Sequence, residues 1–172
     1  MLTTPLRFTR VSTQKLGTAL QQRAFTLSAV SQKSFPALVQ EIKANNKNIH
    51  HISPKELHAI PSTQAPHIID VRERHEIDAT GTIPGAIALP RGILERDVGK
   101  FIKQADARDV VVYCAGGFRS ILAAESLVRL GYGVADAEAN NAGNKETPKV
   151  WSLNEGMDGW IKSGFEVEKK KN

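Results

Sequence analysis

The stretch YCAGGFRS, residues 113–120, opens on Cys114, the only cysteine in the chain, and continues with two glycines, an arginine and a serine. A thiol at the mouth of a loop so poor in side chains is placed for nucleophilic chemistry. In such a turn, successive backbone N–H groups converge on one spot, and the positive end of the following helix adds to them. Gly116 and Gly117 allow backbone conformations that a Cβ obstructs, and they leave little bulk over the centre. Arg119 closes the loop with a permanent positive charge. These surroundings favour the thiolate, which is the attacking form of cysteine. The same cradle of amides suits an anionic substrate or a sulfur atom carried on the thiol. A free cysteine is more often a small buried hydrophobe, yet a cysteine that only packs has no need of an arginine-closed loop. A nucleotide-binding phosphate loop does not fit, because no Lys-Ser/Thr pair follows the glycines at the required spacing.

The elements that must hold this loop follow from periodicity. DVVVYC, just before it, is a continuous β-branched run, the pattern of a central parallel strand covered on both faces. Cys114 therefore falls at the carboxyl end of a strand. A helix is predicted from about Arg119 to Leu130, apolar at Ile121, Ala124, Leu127 and Val128 and stopped by Gly131. Upstream, NIHHIS and HIIDV read as strands. Between them SPKEL opens a helix, with Ser53 and Glu56 forming a capping box and Pro54 at the first helical position. GTIPGAIALP frames a third short strand, and GILERDVGKFIKQ returns to helical spacing. VWSL reads as the last strand, leading through Gly156 into a short helix that carries Trp160. Residues 135–149, ADAEANNAGNKETPK, are small, polar and without period, which predicts an inserted mobile loop. Five strands with intervening helices predict an α/β fold with a mainly parallel sheet and a site at the carboxyl ends of its strands.

At 172 residues the chain has room for one domain and a tail. A lone cysteine makes no internal disulfide, so the fold relies on packing. No stretch approaches the roughly 18 consecutive apolar residues of a spanning helix, and a membrane partner is not expected. The net charge of +5 comes from the first 40 residues, which hold Arg7, Arg10, Lys15, Arg23 and Lys33 and no acid. The remainder balances 18 basic against 18 acidic residues, so a footprint for nucleic acid is missing from it. Residues 1–40, rich in Ser, Thr and Arg, read as a mitochondrial transit peptide and disordered leader, with a plain disordered basic tail as the alternative. RAFTLS, from Arg23, resembles sites cut by the matrix processing peptidase. A single domain is then expected over residues 48–170, in the mitochondrial matrix and as a monomer.

From about residue 49 to 168 the chain resembles the rhodanese family, the thiosulfate sulfurtransferases. The resemblance rests on IIDVRERHE, GTIPGAIALP, VVYCAGGFRS, LVRLGYGV and SLNEGMDGWIKSG, in that order. It implies the rhodanese-like fold, a five-stranded parallel sheet with helices on both faces. It implies that Cys114 forms a persulfide and that Ala115, Gly116, Gly117, Phe118, Arg119 and Ser120 bind substrate around it. Thiosulfate is then the donor, cyanide, glutathione or a protein thiol the acceptor, and no metal or organic cofactor takes part. Asp70 and Arg72 are implied to form a scaffold ion pair with a neighbouring element, with a role in catalysis as the alternative, and Pro84, Gly85, Gly156 and Trp160 to serve turns and packing. Arg91 reads as a solvated arginine, or alternatively as one that reaches the pocket mouth.

Two features depart from the family pattern. Thr82 stands where members often have a histidine before IPGA, and residues 135–149 look inserted. Because the insertion enters the last strand at its amino end, it is expected on the side away from Cys114. Two other functions stay open. Dual-specificity phosphatases share the fold, but their loop places five residues between cysteine and arginine, whereas Cys114 and Arg119 enclose four. A persulfide carrier or binding module that serves a partner protein would keep the same residues.

Overall fold

The structure, a computed structural model, describes residues 32–133 and 147–169. Its sheet contains β1 (Ile49–Ile52), β2 (His67–Asp70), β3 (Ile87–Ala88), β4 (Val110–Tyr113) and β5 (Val150–Leu153), in the spatial order β1-β5-β4-β2-β3. Every ladder between these strands is parallel. An isolated antiparallel bridge joins Thr82 and Glu168 outside them. The sequence predicts all five strands, and the β-branched run of β4 takes the central place, buried along its whole length. Pairing of Asp70 with Tyr113 and of Val112 with Ser152 brings the ends of β2, β4 and β5 level. Cys114 leaves the sheet at that rim.

Alternate residues of β4 face opposite layers, as the two-residue period of a strand requires. Val110 and Val112 meet Leu94, Val98, Ala123, Ala124 and Leu127 on one face. Val111 and Tyr113 meet Leu57, Met157 and Trp160 on the other. The first layer is built from α1 (Phe35–Asn45), α4 (Leu94–Asp97) and α5 (Arg119–Arg129), the second from α2 (Pro54–His58) and α6 (Gly156–Lys162), while α3 (Arg74–Thr80) connects β2 to β3. At about 1.5–3 kcal/mol for each fully buried large aliphatic side chain, this double layer is the main source of stability. The predicted capping box of α2 is present: Ser53 Oγ accepts the Glu56 N–H at 3.3 Å, and Glu56 accepts the Ser53 N–H at 2.8 Å.

Two segments differ from the sequence expectation. The leader was expected to run to residue 40, but Phe35–Asn45 is helical, capped by the Ser34 hydroxyl, which accepts the Ala37 N–H at 3.4 Å. Val39 is buried and Ile42 packs against the same core as α5. The absence of acids in residues 1–40 hid a start signal at Ser34 and Pro36 followed by apolar residues at helical spacing. Residues 1–31, which carry the rest of the transit-peptide reading, lie outside those described. The other difference is GILERDVGKFIKQ, which forms α4 between two 3₁₀ turns, Arg91–Ile93 and Val98–Lys100, rather than one helix. Gly92 and Gly99 weaken it locally, yet Leu94, Val98 and Ile102, four residues apart, all still reach the core.

Most of the expected inserted loop also falls outside the described residues. Where the chain returns, the Lys149 N–H donates to Asp109 Oδ1 at 2.8 Å, and the Lys149 carbonyl accepts the Val110 N–H at 2.9 Å. Residues 147–149 thus enter β5 at the amino end of the sheet, opposite the rim that carries Cys114.

Candidate active site

Cys114 follows β4 directly and is 1% exposed. The chain then turns through Ala115–Phe118 into α5. At Gly117 the backbone has φ of +86°, the left-handed region that glycine enters without strain. That conformation aims the Gly117 N–H at the Cys114 sulfur, which accepts it at 3.2 Å. Beneath the sulfur lies Ser120, fully buried, its Oγ 3.9 Å from Sγ. Its hydroxyl donates to the Gly117 carbonyl at 3.0 Å and accepts from the Ser152 hydroxyl at 2.9 Å. Ser120 therefore fixes the loop from below.

The outer side of the loop is fixed by α6. The Met157 N–H donates to the Cys114 carbonyl at 2.8 Å, and the Asp158 N–H to the Ala115 carbonyl at 3.1 Å. Two carbonyls are thereby turned away from the sulfur and satisfied by the first turn of a neighbouring helix. Gly156 makes this approach possible: with φ of +53°, a Cβ there would lie 2.2 Å from the Cys114 carbonyl oxygen and 2.4 Å from that of Ala115. What the sequence offers as a turn glycine is a contact point with the loop that follows Cys114.

Arg119, at the start of α5, turns to a residue that sequence reasoning missed. Its two terminal nitrogens each donate to Glu76 on α3, both at 2.7 Å. This fork holds the Glu76 carboxyl down to about 2, mainly through the hydrogen bonds from Arg119. The Arg119 guanidinium is correspondingly held above its ordinary value, first by Glu76, with the Cys114 sulfur adding to the rise. Phe118 points outward instead: it is 46% exposed, and its ring centroid lies 6.3 Å from that of Phe35 on α1.

A buried polar network supports the rim. Arg72 donates through Nε and Nη2 to both oxygens of Asp70, and through Nη1 and Nη2 to Thr80 Oγ1 and the Gly81 carbonyl. Asp70 and Arg72 are both almost wholly buried, so each satisfies the charge of the other. Thr82 donates to Asp70 Oδ2 at 3.2 Å and lies 2.6 Å from the Tyr113 hydroxyl. Burial raises the Tyr113 phenol, and the nearby Asp70 adds to this. The Arg91 side chain, 28% exposed, spans Glu95 and Ser126 rather than standing free in solvent.

A family model described as a rhodanese-like domain matches residues 53–163. The chain belongs to the rhodanese-like family. A sulfurtransferase from Allochromatium vinosum is 31% identical to this chain over 100 residues, which cover 58% of this chain and 76% of that one. The thiosulfate sulfurtransferase of Pseudomonas aeruginosa has a similar structure, with a TM-score of 0.62 and 26% identity over 80% of this chain and 23% of that one. A Rhodopseudomonas palustris protein of unknown function, described as a possible tyrosine phosphatase, gives a TM-score of 0.60 and 25% identity over 80% and 96% of the two chains. The family match begins beyond α1, so Phe35 is a neighbour of Phe118 from outside the matched region.

Of the predicted site residues, Ala115, Gly116 and Gly117 form the loop around Cys114, Ser120 underlies it, Arg119 stands on its edge, and Phe118 faces away. The contributions of Glu76 and Ser152 come from α3 and β5. Within RERHE the Glu73 N–H donates to Glu76 Oε2 at 3.0 Å. Nothing in the linear sequence paired Glu76 with an arginine 43 residues away.

Proposed function

We propose that this rhodanese moves sulfane sulfur from thiosulfate, through a persulfide on Cys114, to cyanide, glutathione or another thiol. The Cys114 thiolate attacks the outer sulfur of thiosulfate; the S–S bond of the donor breaks and its electron pair leaves with sulfite. The new persulfide then yields its outer sulfur to the acceptor, and the Cys114 thiolate returns. The observation that carries this reading is the Gly117 N–H directed at the sulfur at 3.2 Å in a loop closed by Arg119. A fixed amide dipole of this kind stabilises negative charge on sulfur without reorganising during the reaction. Arg119 is the group for the sulfonate of thiosulfate and the charge of departing sulfite. Ala115, Gly116 and Gly117 leave the space in which one sulfur atom is carried.

A persulfide carrier for a partner protein is the second reading. It is favoured by Phe118 and Phe35, which are 46% and 48% exposed beside the loop and suit a protein acceptor better than a small anion. The phosphatase reading has the Rhodopseudomonas palustris neighbour in its favour, but the four-residue span from Cys114 to Arg119 makes a tighter ring than phosphate needs. The acid-free leader supports a mitochondrial matrix location, tested by whether the full chain and one lacking residues 1–32 differ in localisation.

The deciding experiment is steady-state sulfur transfer from thiosulfate to cyanide and to glutathione. Turnover that vanishes in Cys114→Ser supports the enzyme. Loading of one sulfur on Cys114 without turnover supports the carrier, and hydrolysis of an aryl phosphate without sulfur loading supports the phosphatase.

A further inference from the structure

We propose that Phe35, with Leu38 and Phe118, recognises the sulfur acceptor, and that this acceptor is a protein cysteine flanked by an apolar side chain and met in a brief encounter. The inference rests on the sulfurtransferase reading above and names the acceptor for that same site. Phe118 belongs to the loop that follows Cys114 but turns its ring outward, so it is the surface an incoming molecule meets beside the sulfur. Phe35 stands against it, with ring centroids 6.3 Å apart. Leu38 follows three residues later on α1, which places it on the same helix face as Phe35. Among the described residues six large hydrophobic side chains are notably exposed, and these three of them gather at one place.

The fold does not account for this patch. Val39 is buried and Ile42 packs on the core, and these two fix α1, whereas Phe35 and Leu38 are 48% and 38% exposed and leave most of their gain from burial unrealised. The charges beside the patch are paired, Lys33 with Glu41 and Arg119 with Glu76, so apolar surface is what it offers. Its size selects the kind of partner. With about 200 Å² for each aromatic side chain, the three exposures sum to roughly 250 Å². A stable complex covers about 800 Å² on each partner, and transient redox encounters cover less. Because Cys114 is 1% exposed, a protein thiol must press close to the loop to reach its sulfur, and contact with Phe118 follows.

The patch acts on the second half of the reaction. Thiosulfate and cyanide have no apolar body to lay on it, so loading of Cys114 proceeds without it. In discharge, the acceptor cysteine gives its proton to solvent and its thiolate attacks the outer sulfur of the Cys114 persulfide. The S–S bond breaks, its electron pair stays on the Cys114 sulfur, and the outer sulfur leaves bonded to the acceptor. No oxidant or reductant is consumed. An apolar residue next to the acceptor cysteine rests on Phe35 and Leu38 while that attack takes place. Phe35 is thus a specificity residue that touches the acceptor and not the reacting sulfur of Cys114.

The test loads the full chain with thiosulfate and follows discharge of the persulfide by intact mass, with the rate for cyanide as the reference in each variant. The acceptors are a short capped peptide with leucine on both sides of its cysteine, the same peptide with glycine in place of leucine, and benzyl mercaptan. The leucine peptide is expected to discharge Cys114 about fivefold faster than the glycine peptide, the worth of roughly 40 Å² of apolar surface removed from water. Phe35→Ala is expected to abolish that preference and Phe35→Leu to keep most of it. Leu38→Ala, expected to lower it in part, provides a second variant if Phe35→Ala melts early. Benzyl mercaptan, which reaches only the ring beside the sulfur, is expected to be insensitive to Phe35. Equal rates for the two peptides, or a preference that survives Phe35→Ala, would overturn the proposal. A fivefold loss for benzyl mercaptan in Phe35→Ala would assign the patch to a small apolar thiol and overturn the protein acceptor. Discharge to cyanide but to neither peptide would sink this proposal and leave the sulfurtransferase reading standing. If wild-type Cys114 takes up no sulfur from thiosulfate, that reading falls and this proposal falls with it.

Discussion

The Gly117 N–H reaches the Cys114 sulfur at 3.2 Å only because Gly117 takes a φ of +86°. Cys114→Ser should keep the fold, since serine is close in volume and Ser120 Oγ lies 3.9 Å from the sulfur, within reach of a small polar group. The variant is expected to melt within a few degrees of wild type but to gain no sulfur from thiosulfate, as read by intact mass. Wild-type turnover in this variant would remove Cys114 from the mechanism.

Gly156 gives a sharper structural prediction. A methyl group at this position would lie 2.2 Å from the Cys114 carbonyl oxygen, and the obstacle is backbone, which cannot swing aside. Gly156→Ala is expected to cost at least about 2 kcal/mol, combining left-handed strain with the clash, and to lower sulfur transfer by displacing the loop. Gly92→Ala, where a Cβ meets nothing within 4 Å, serves as the control and should stay within about 0.5 kcal/mol. Chemical denaturation of both variants measures the difference.

The pairing of Glu76 with Arg119 predicts a pH dependence. The Glu76 carboxyl falls from an ordinary 4.5 to about 2 in the folded chain, so the folded state favours its ionised form. Stability from this group is therefore fully present above pH 4.5 and is lost as pH falls toward about 2. The stability gap between wild type and Glu76→Gln should narrow over that interval. A gap unchanged from neutral pH to pH 3 would show that the pair contributes nothing through its charge.

Helix α1 lies outside the matched rhodanese region, yet Val39 is only 1% exposed. Val39→Ala is expected to destabilise the fold by about 2 kcal/mol, the loss of two buried carbons and the space they leave. A chain started at residue 41 cuts α1 in half and should melt below one started at residue 33. Equal melting temperatures would show that α1 is dispensable for the domain.

The strands and the position of Cys114 were legible because their signals are local. A β-branched run such as DVVVY forms a covered strand wherever it lies, and Cys-x-x-Gly-x-Arg-Ser announces a loop at its end. Capping in SPKEL is likewise a matter of three neighbouring residues. The same locality explains the failures. Residues 92–104 have the spacing of one helix, but Gly92 and Gly99 leave its continuity to be settled by packing. Residues 35–40 were masked by the composition of the basic segment before them, although α1 gains its stability from Val39 and Ile42 against the core.

By itself, then, the sequence determined the order of strands along the chain, the place of Cys114 at the end of a strand, and the glycines that let backbone approach sulfur. Tertiary structure alone decided what Arg119 does, because its partner is set by where α3 lies relative to α5. It also decided that Ser152 steadies Ser120 and that Gly156 presses on the Cys114 carbonyl, contacts made where β5 and α6 return beside β4. Hydrophobic period and turn chemistry act over a few residues. A salt bridge or a backbone contact across 43 or 42 residues depends on sheet order, and no single stretch of the chain carries it.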